Sequence, residues 1–152
     1  MKNFYTILIL SILFLTTTIV LAQEMNTNIN IIPKPKSIVI NEGSFKLNSF
    51  TKLFYKKEAK QIAEYLNQIL KPSTGFDLKL NEWDGSVNEN SIILSLSNKD
   101  KVFGKEGYTL VVNTTNVLIE ASELNGLFYG VQTLRQLLPV EIESKIKIEN
   151  AE

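Results

Sequence analysis

Apolar positions along this chain fall into two periods, and the periods alternate in blocks. Beyond residue 30, short runs rich in β-branched, aliphatic and aromatic residues occupy 37–40, 44–47, 51–55, 76–80, 91–97, 108–112 and 117–121. Each is bounded by Asn, Gly, Ser or Pro and reads as a strand. Two longer blocks repeat at three and four instead. Ala59, Ile62, Ala63, Leu66, Ile69 and Leu70 form one apolar stripe, with Lys57, Lys60, Gln61, Glu64 and Gln68 facing away. Leu124, Leu127, Phe128, Val131, Leu134 and Leu138 form the second. Helices are therefore predicted over 56–70, ended by Lys71-Pro72 and Gly75, and over 124–138, stopped by Pro139. Ser122 stands where the N-cap of the second helix belongs, and Glu123 follows in its first turn, where the helix dipole favours an anion.

The individual runs carry further detail. Phe76, Leu78 and Leu80 alternate with Asp77 and Lys79, so that strand is half-buried, whereas 91–97 is almost continuously apolar and is expected at the centre of the sheet. Asn113-Thr114-Thr115-Asn116 separates two β-rich runs, which predicts an antiparallel hairpin with a four-residue loop. Asn41-Glu42-Gly43 predicts a second hairpin between 37–40 and 44–47. Ile31-Ile32 precede Pro33-Lys34-Pro35, and two prolines cannot donate to a ladder, so an extended edge segment leads in. Residues 140–148 read as a last strand.

The connections are mostly too short for parallel crossovers. A mostly antiparallel (mixed) sheet with both helices on one face follows, an α+β two-layer sandwich. Gly126 and Gly130 lie four apart in the second helix, each costing about 1 kcal/mol against Ala. They imply a close backbone approach on that face, either by the domain's own sheet or by a second domain.

Composition narrows the function classes. Residues 1–22 read as a secretory signal peptide: Lys2 supplies the positive start, 4–21 are largely apolar, and Ala22 offers a small residue for cleavage. An uncleaved membrane anchor is the alternative, weakened by Thr16-Thr17-Thr18. Residues 23–30 are polar and asparagine-rich, a disordered spacer before a domain over 31–152. The chain has 16 basic and 16 acidic residues, so loss of Lys2 leaves a net charge of −1 (15 against 16), with no basic stripe to suit nucleic acid. It has no cysteine and no histidine. Stability must come from packing, lipid attachment through a cysteine is excluded, and neither a Ser-His-Asp triad nor a histidine metal site can form.

Few residues suggest chemistry. The aspartates are Asp77, Asp84 and Asp100, and no Asp-Glu dipeptide occurs. Glu82 and Asp84 flank Trp83: as an extended segment they would form a carboxylate pair beside a sugar-stacking ring, or else a solvated loop whose tryptophan plugs the edge of the core. Tyr129 and Arg135 lie off the second helix's main stripe, as ordinary surface or as contacts to another domain. Asn113-Thr114-Thr115 matches a glycosylation sequon and equally well a plain hairpin loop.

Glu106-Gly107-Tyr108-Thr109-Leu110, the run from Val117 to Ser122 and above all the run from Asn125 to Pro139 resemble the N-terminal domain of the family-20 glycoside hydrolases, the β-N-acetylhexosaminidases. Ile31-Ile32-Pro33-Lys34-Pro35-Lys36 is similar to the start of that domain, and the resemblance extends to the end of the chain. It implies an α+β domain with a mixed sheet, topped by two helices that lean on a catalytic barrel. Those enzymes remove terminal β-linked N-acetylhexosamines with the sugar's own acetamide as nucleophile. An adjacent Asp-Glu pair orients the acetamide and supplies the general acid, and an Arg grips the sugar hydroxyls. All three residues belong to the barrel, which would begin past Glu152. No catalytic, sugar-binding or metal residue is therefore carried over, no cofactor is implied, and the chain alone is expected to be inactive. Its expected partner is the barrel, with glycan reached only through it. A free-standing carbohydrate-binding or adaptor module, and an accessory domain of another glycosidase, are the alternatives.

Overall fold

The structure is a computed structural model that describes residues 29–86, 88–97 and 104–144. The chain divides into two units, Met1–Asn30 and Ile31–Glu152. The leader and nearly all of the spacer lie outside the described residues. The second unit contains β1 (Lys52–Tyr55), α1 (Lys60–Thr74), β2 (Lys79–Glu82), β3 (Ser91–Leu96), β4 (Tyr108–Val112), β5 (Asn116–Ala121) and α2 (Leu124–Leu137). Short 3-10 turns at Lys57–Ala59 and Val140–Glu143 lead into α1 and follow α2.

The five strands form one sheet in the order β2-β1-β3-β5-β4, with β3 at its centre as the apolar run predicts. Along β1, β3 and β5, successive side chains alternate between the faces. Leu53, Tyr55, Ile92, Leu94, Val117, Ile119 and Ala121 share one core cluster with Ala63, Leu66 and Leu70 of α1 and Leu127, Val131 and Leu134 of α2. Both helices thus cover the same face, and the architecture is the expected α+β two-layer sandwich with a mixed sheet.

The balance of strand directions is the reverse of the expectation. β1 pairs in parallel with β2 and with β3, β3 pairs in parallel with β5, and only β4 and β5 are antiparallel. Short connections suggested antiparallel neighbours on the assumption that consecutive strands pair. Here they do not. The chain passes from β2 to β3 across β1, and from β3 to β5 by way of the antiparallel edge strand β4, so parallel neighbours arise with only α1 as a helical crossover.

Four local expectations are also corrected. First, residues 37–40 and 44–47 form no strand. The Ile32 N–H donates to Gln136 Oε1 and the Ile32 carbonyl accepts from Gln136 Nε2, each at 2.9 Å, while Phe45 and Leu47 pack singly against the core. Second, α1 starts later and ends later than its stripe suggests. The Lys56 N–H is spent on the Leu94 carbonyl (3.0 Å), holding that residue outside the helix. At the other end the helix runs through Pro72 to Thr74, whose hydroxyl donates to the Leu70 carbonyl (2.7 Å), and Gly75 closes it with φ 72°. Third, Ser122 does not cap α2. Its hydroxyl donates to the Gly104 carbonyl (3.2 Å) and Glu123 takes the N-cap position, while the Gly126 N–H is satisfied by the Lys105 carbonyl (3.2 Å). Fourth, Val140–Glu143 is a 3-10 turn, not the start of a strand, and 145–148 lie outside the described residues.

Candidate functional site

The stripe of α2 is turned from where its leucines alone would place it. Gly126, Leu127, Gly130, Val131, Thr133 and Leu134 are buried, whereas Leu124 and Phe128, counted in the predicted stripe, are 42% and 39% exposed. The glycines set this rotation. A Cβ on Gly126 would collide with the Gly107 carbonyl, and one on Gly130 with Ile119 Cγ2 while pressing closely on the Tyr108 ring. The close approach inferred from the two glycines is therefore to the domain's own sheet. A hydrogen bond between the Tyr108 hydroxyl and Thr133 Oγ1 pins the same face of α2 to β4.

With that face committed, an aromatic patch is left on the outer side of the helix pair. Tyr65 of α1 and Phe128 of α2 stand with ring centroids 5.5 Å apart and planes tilted by 41°. Tyr129, 43% exposed, meets Phe128 edge-on at 6.1 Å. The Tyr65 hydroxyl accepts from Gln132 Nε2 (3.3 Å) and from Arg135 Nη1 (3.2 Å). Arg135 Nη1 also donates to Gln132 Oε1 (2.8 Å), and its Nη2 straddles both carboxylate oxygens of Glu143 at 2.7 Å. The Glu143 carboxylate is the main reason the guanidinium is held still further in its charged form. The patch thus has an apolar aromatic centre and a satisfied polar border. It offers rings for a partner to bury and no group placed to move a proton. Tyr129 does lie outward, as one reading of its position allows, but Arg135 is spent within the domain.

The carboxylates beside Trp83 do not assemble a site. Glu82 ends β2 opposite Tyr55, and the chain then turns at Gly85. Asp84 Oδ1 accepts from the Ser86 N–H (2.8 Å) and hydroxyl (2.6 Å). Those bonds, the hydroxyl's first, hold the Asp84 carboxyl below its usual range, the wrong direction for a general acid. Trp83 is tied into the same loop. Its Nε1 donates to the Ser86 carbonyl (2.8 Å), and the Lys56 ammonium lies 5.0 Å from its ring centroid. Asp77 is paired with Lys71 Nζ (2.6 Å) and accepts from Asn67 Nδ2 (3.0 Å), a structural role at the end of α1. Asp100 lies outside the described residues. Asn113 is exposed at the hairpin tip, its Nδ2 donating to Asn116 Oδ1 (3.2 Å).

Among the described residues no three carboxylates, histidines or cysteines gather as a metal site, and no helix is long and apolar enough to cross a membrane. Sequence reasoning missed Tyr65, and it assigned Phe128 and Leu124 to the core. The signal that could have placed them is the glycine pair: Gly126 and Gly130 belong to the buried face, and at the helical period Phe128 lies nearly opposite them.

The comparisons agree with this architecture. A family model described as glycosyl hydrolase family 20, domain 2, matches residues 28–151. A β-hexosaminidase of Porphyromonas gingivalis is 32% identical over 126 residues, covering 82% of this chain and 16% of that protein. The solved GH20 β-N-acetylhexosaminidase of Streptomyces coelicolor superposes with a TM-score of 0.68 at 31% identity, over 76% of this chain and 23% of its own. The N-acetyl-β-hexosaminidase of Streptomyces plicatus gives 0.66 at 32% identity, over 78% and 23%. The chain thus spans a quarter or less of the relatives it matches. With the sheet, the helix pair and the Gly126 to Pro139 run in agreement, this chain belongs to the glycosyl hydrolase family 20, domain 2, family.

Proposed function

We propose that this domain is the non-catalytic accessory domain of an exported β-N-acetylhexosaminidase, seated by the outer face of α1 and α2 on a catalytic barrel of the full-length protein. The observation that carries the proposal is the exposed patch of Leu124, Phe128 and Tyr129 beside Tyr65 on a helix pair whose other side is already committed to the sheet. Burying such side chains against a neighbour contributes about 1.5–3 kcal/mol each. The reaction would be hydrolysis of terminal β-linked N-acetylhexosamine from glycans or chitooligosaccharides. Its chemistry would lie wholly in the barrel, since the described carboxylates of this domain are dispersed or tied to their own loops. The names of the Porphyromonas and Streptomyces relatives support that substrate class. Export rests on the leader over residues 1–22, and mature protein recovered outside the cytoplasm should begin at Gln23.

The test has two parts. This chain, incubated with an aryl N-acetylglucosaminide, is expected to release no chromophore. A protein that continues the reading frame past residue 152 is expected to release it, and replacing Phe128 and Tyr129 together by Asp should separate its melting into two steps. Turnover by this chain alone, or a frame that continues without a hexosaminidase barrel, would overturn the proposal.

A further inference from the structure

Glu143 sits beyond α2, past the turn at Pro139, yet it reaches back to the helix. Arg135, in the last turn of α2, is gripped from three elements at once: by Tyr65 of α1, by Gln132 of α2 and by Glu143 of the 3-10 turn. The Arg135 side chain is 26% exposed and that of Glu143 56%, so the guanidinium is partly sheltered while the carboxylate stays open to water and salt. The turn itself is short. Its backbone bonds run from the Ile142 N–H to the Pro139 carbonyl and from the Ser144 N–H to the Glu141 carbonyl, both at 2.9 Å, and Ile142 packs against the core. One turn of 3-10 helix repays little of the entropy lost in ordering it, so a side-chain tie has a large share in holding it down.

We propose that Arg135 and Glu143 form a clasp that fixes the turn Val140–Glu143 on the helix pair. The clasp holds Val140–Glu143 against the C-terminal half of α1, beside Gln68, Ile69 and Pro72. It also shares Tyr65 with the aromatic patch, so the turn and the seating face are held through one side chain. The inference deepens the docking proposal, because the clasp fixes what stands beside the seating face, the exposed Val140 included. Glu143 is in this sense a positioning residue, acting through Arg135.

The experiment is amide hydrogen exchange on this chain, followed by NMR at Ile142 and Ser144, with Leu94 and Ile119 of the sheet as references. Glu143→Gln is expected to speed exchange at Ile142 and Ser144 about three- to tenfold while the sheet amides keep their rates. Added sodium chloride should move the unmodified chain the same way and leave Glu143→Gln unmoved. Unchanged exchange in Glu143→Gln, an equal salt response in both proteins, or faster exchange in the sheet as well would overturn the clasp. The docking proposal fails separately, because it is read in the melting of the longer protein and not in these two amides.

Discussion

Gly126 of α2 rests directly against the backbone of Gly107, at the approach to β4, so that a methyl group on Gly126 would occupy the space of the Gly107 carbonyl oxygen. The contact joins a helical glycine to one in the loop before β4, and it brings the two backbones closer than any side chain would permit. It also gives the helix its rotation, and with it the identity of the residues left facing outward.

Gly126→Ala should therefore destabilise the domain even though alanine favours a helix by about 1 kcal/mol. The obstacle is backbone and cannot swing aside, so a net loss of about 1–3 kcal/mol is expected from urea unfolding midpoints. Gly130→Ala should cost less than Gly126→Ala, because its nearest obstacle is a methyl of Ile119, which can shift.

Leu127 and Phe128 are adjacent in sequence and opposite in role. Leu127 is fully buried among the core residues, and Leu127→Ala is expected to cost about 2–5 kcal/mol. Phe128→Ser removes an outward ring whose aromatic contacts are to Tyr65 and Tyr129, and in this chain it should cost under about 1.5 kcal/mol. Thermal melting of the two variants checks the rotation of α2; equal losses would place Phe128 in the core after all.

The Asp77 carboxyl is held below its ordinary value of 3.8, first by its hydrogen bond from Lys71 and then by that from Asn67. A carboxylate whose folded value is depressed stabilises the fold above its unfolded value, and that contribution is lost as pH falls through the folded value. Stability of the unmodified chain should thus decline below about pH 4, and Asp77→Asn should flatten that part of the profile while leaving the slope near neutrality unchanged. Denaturant titrations from pH 2 to pH 7 measure it.

Trp83 is the residue most suggestive of sugar stacking, and its surroundings argue against that use. The Lys56 ammonium lies over the ring and the Ser86 carbonyl holds the indole N–H. Titration with chitooligosaccharide should leave the tryptophan fluorescence unchanged. Lys56→Met should shift that emission without any ligand, and a saturable response to the sugar would revive the carbohydrate-binding alternative.

Much of this was written in local patterns. The core strand over Ser91–Leu96, the hairpin of β4 and β5, and the stripe of Ala63, Leu66 and Leu70 each follow from spacing within a few residues, because a half-buried strand or helix must repeat its apolar positions at its own period. Strand direction was not local. β1 and β2 are parallel across α1, and β3 is parallel to β1 because the chain crosses β1 to reach its far side, an order invisible in any one run. The outward face was not local either. Phe128 belongs to the leucine stripe by spacing, but Gly107, Ile119 and Tyr108 take the glycine side of α2, and packing of backbone against backbone decided which aromatic rings the domain presents.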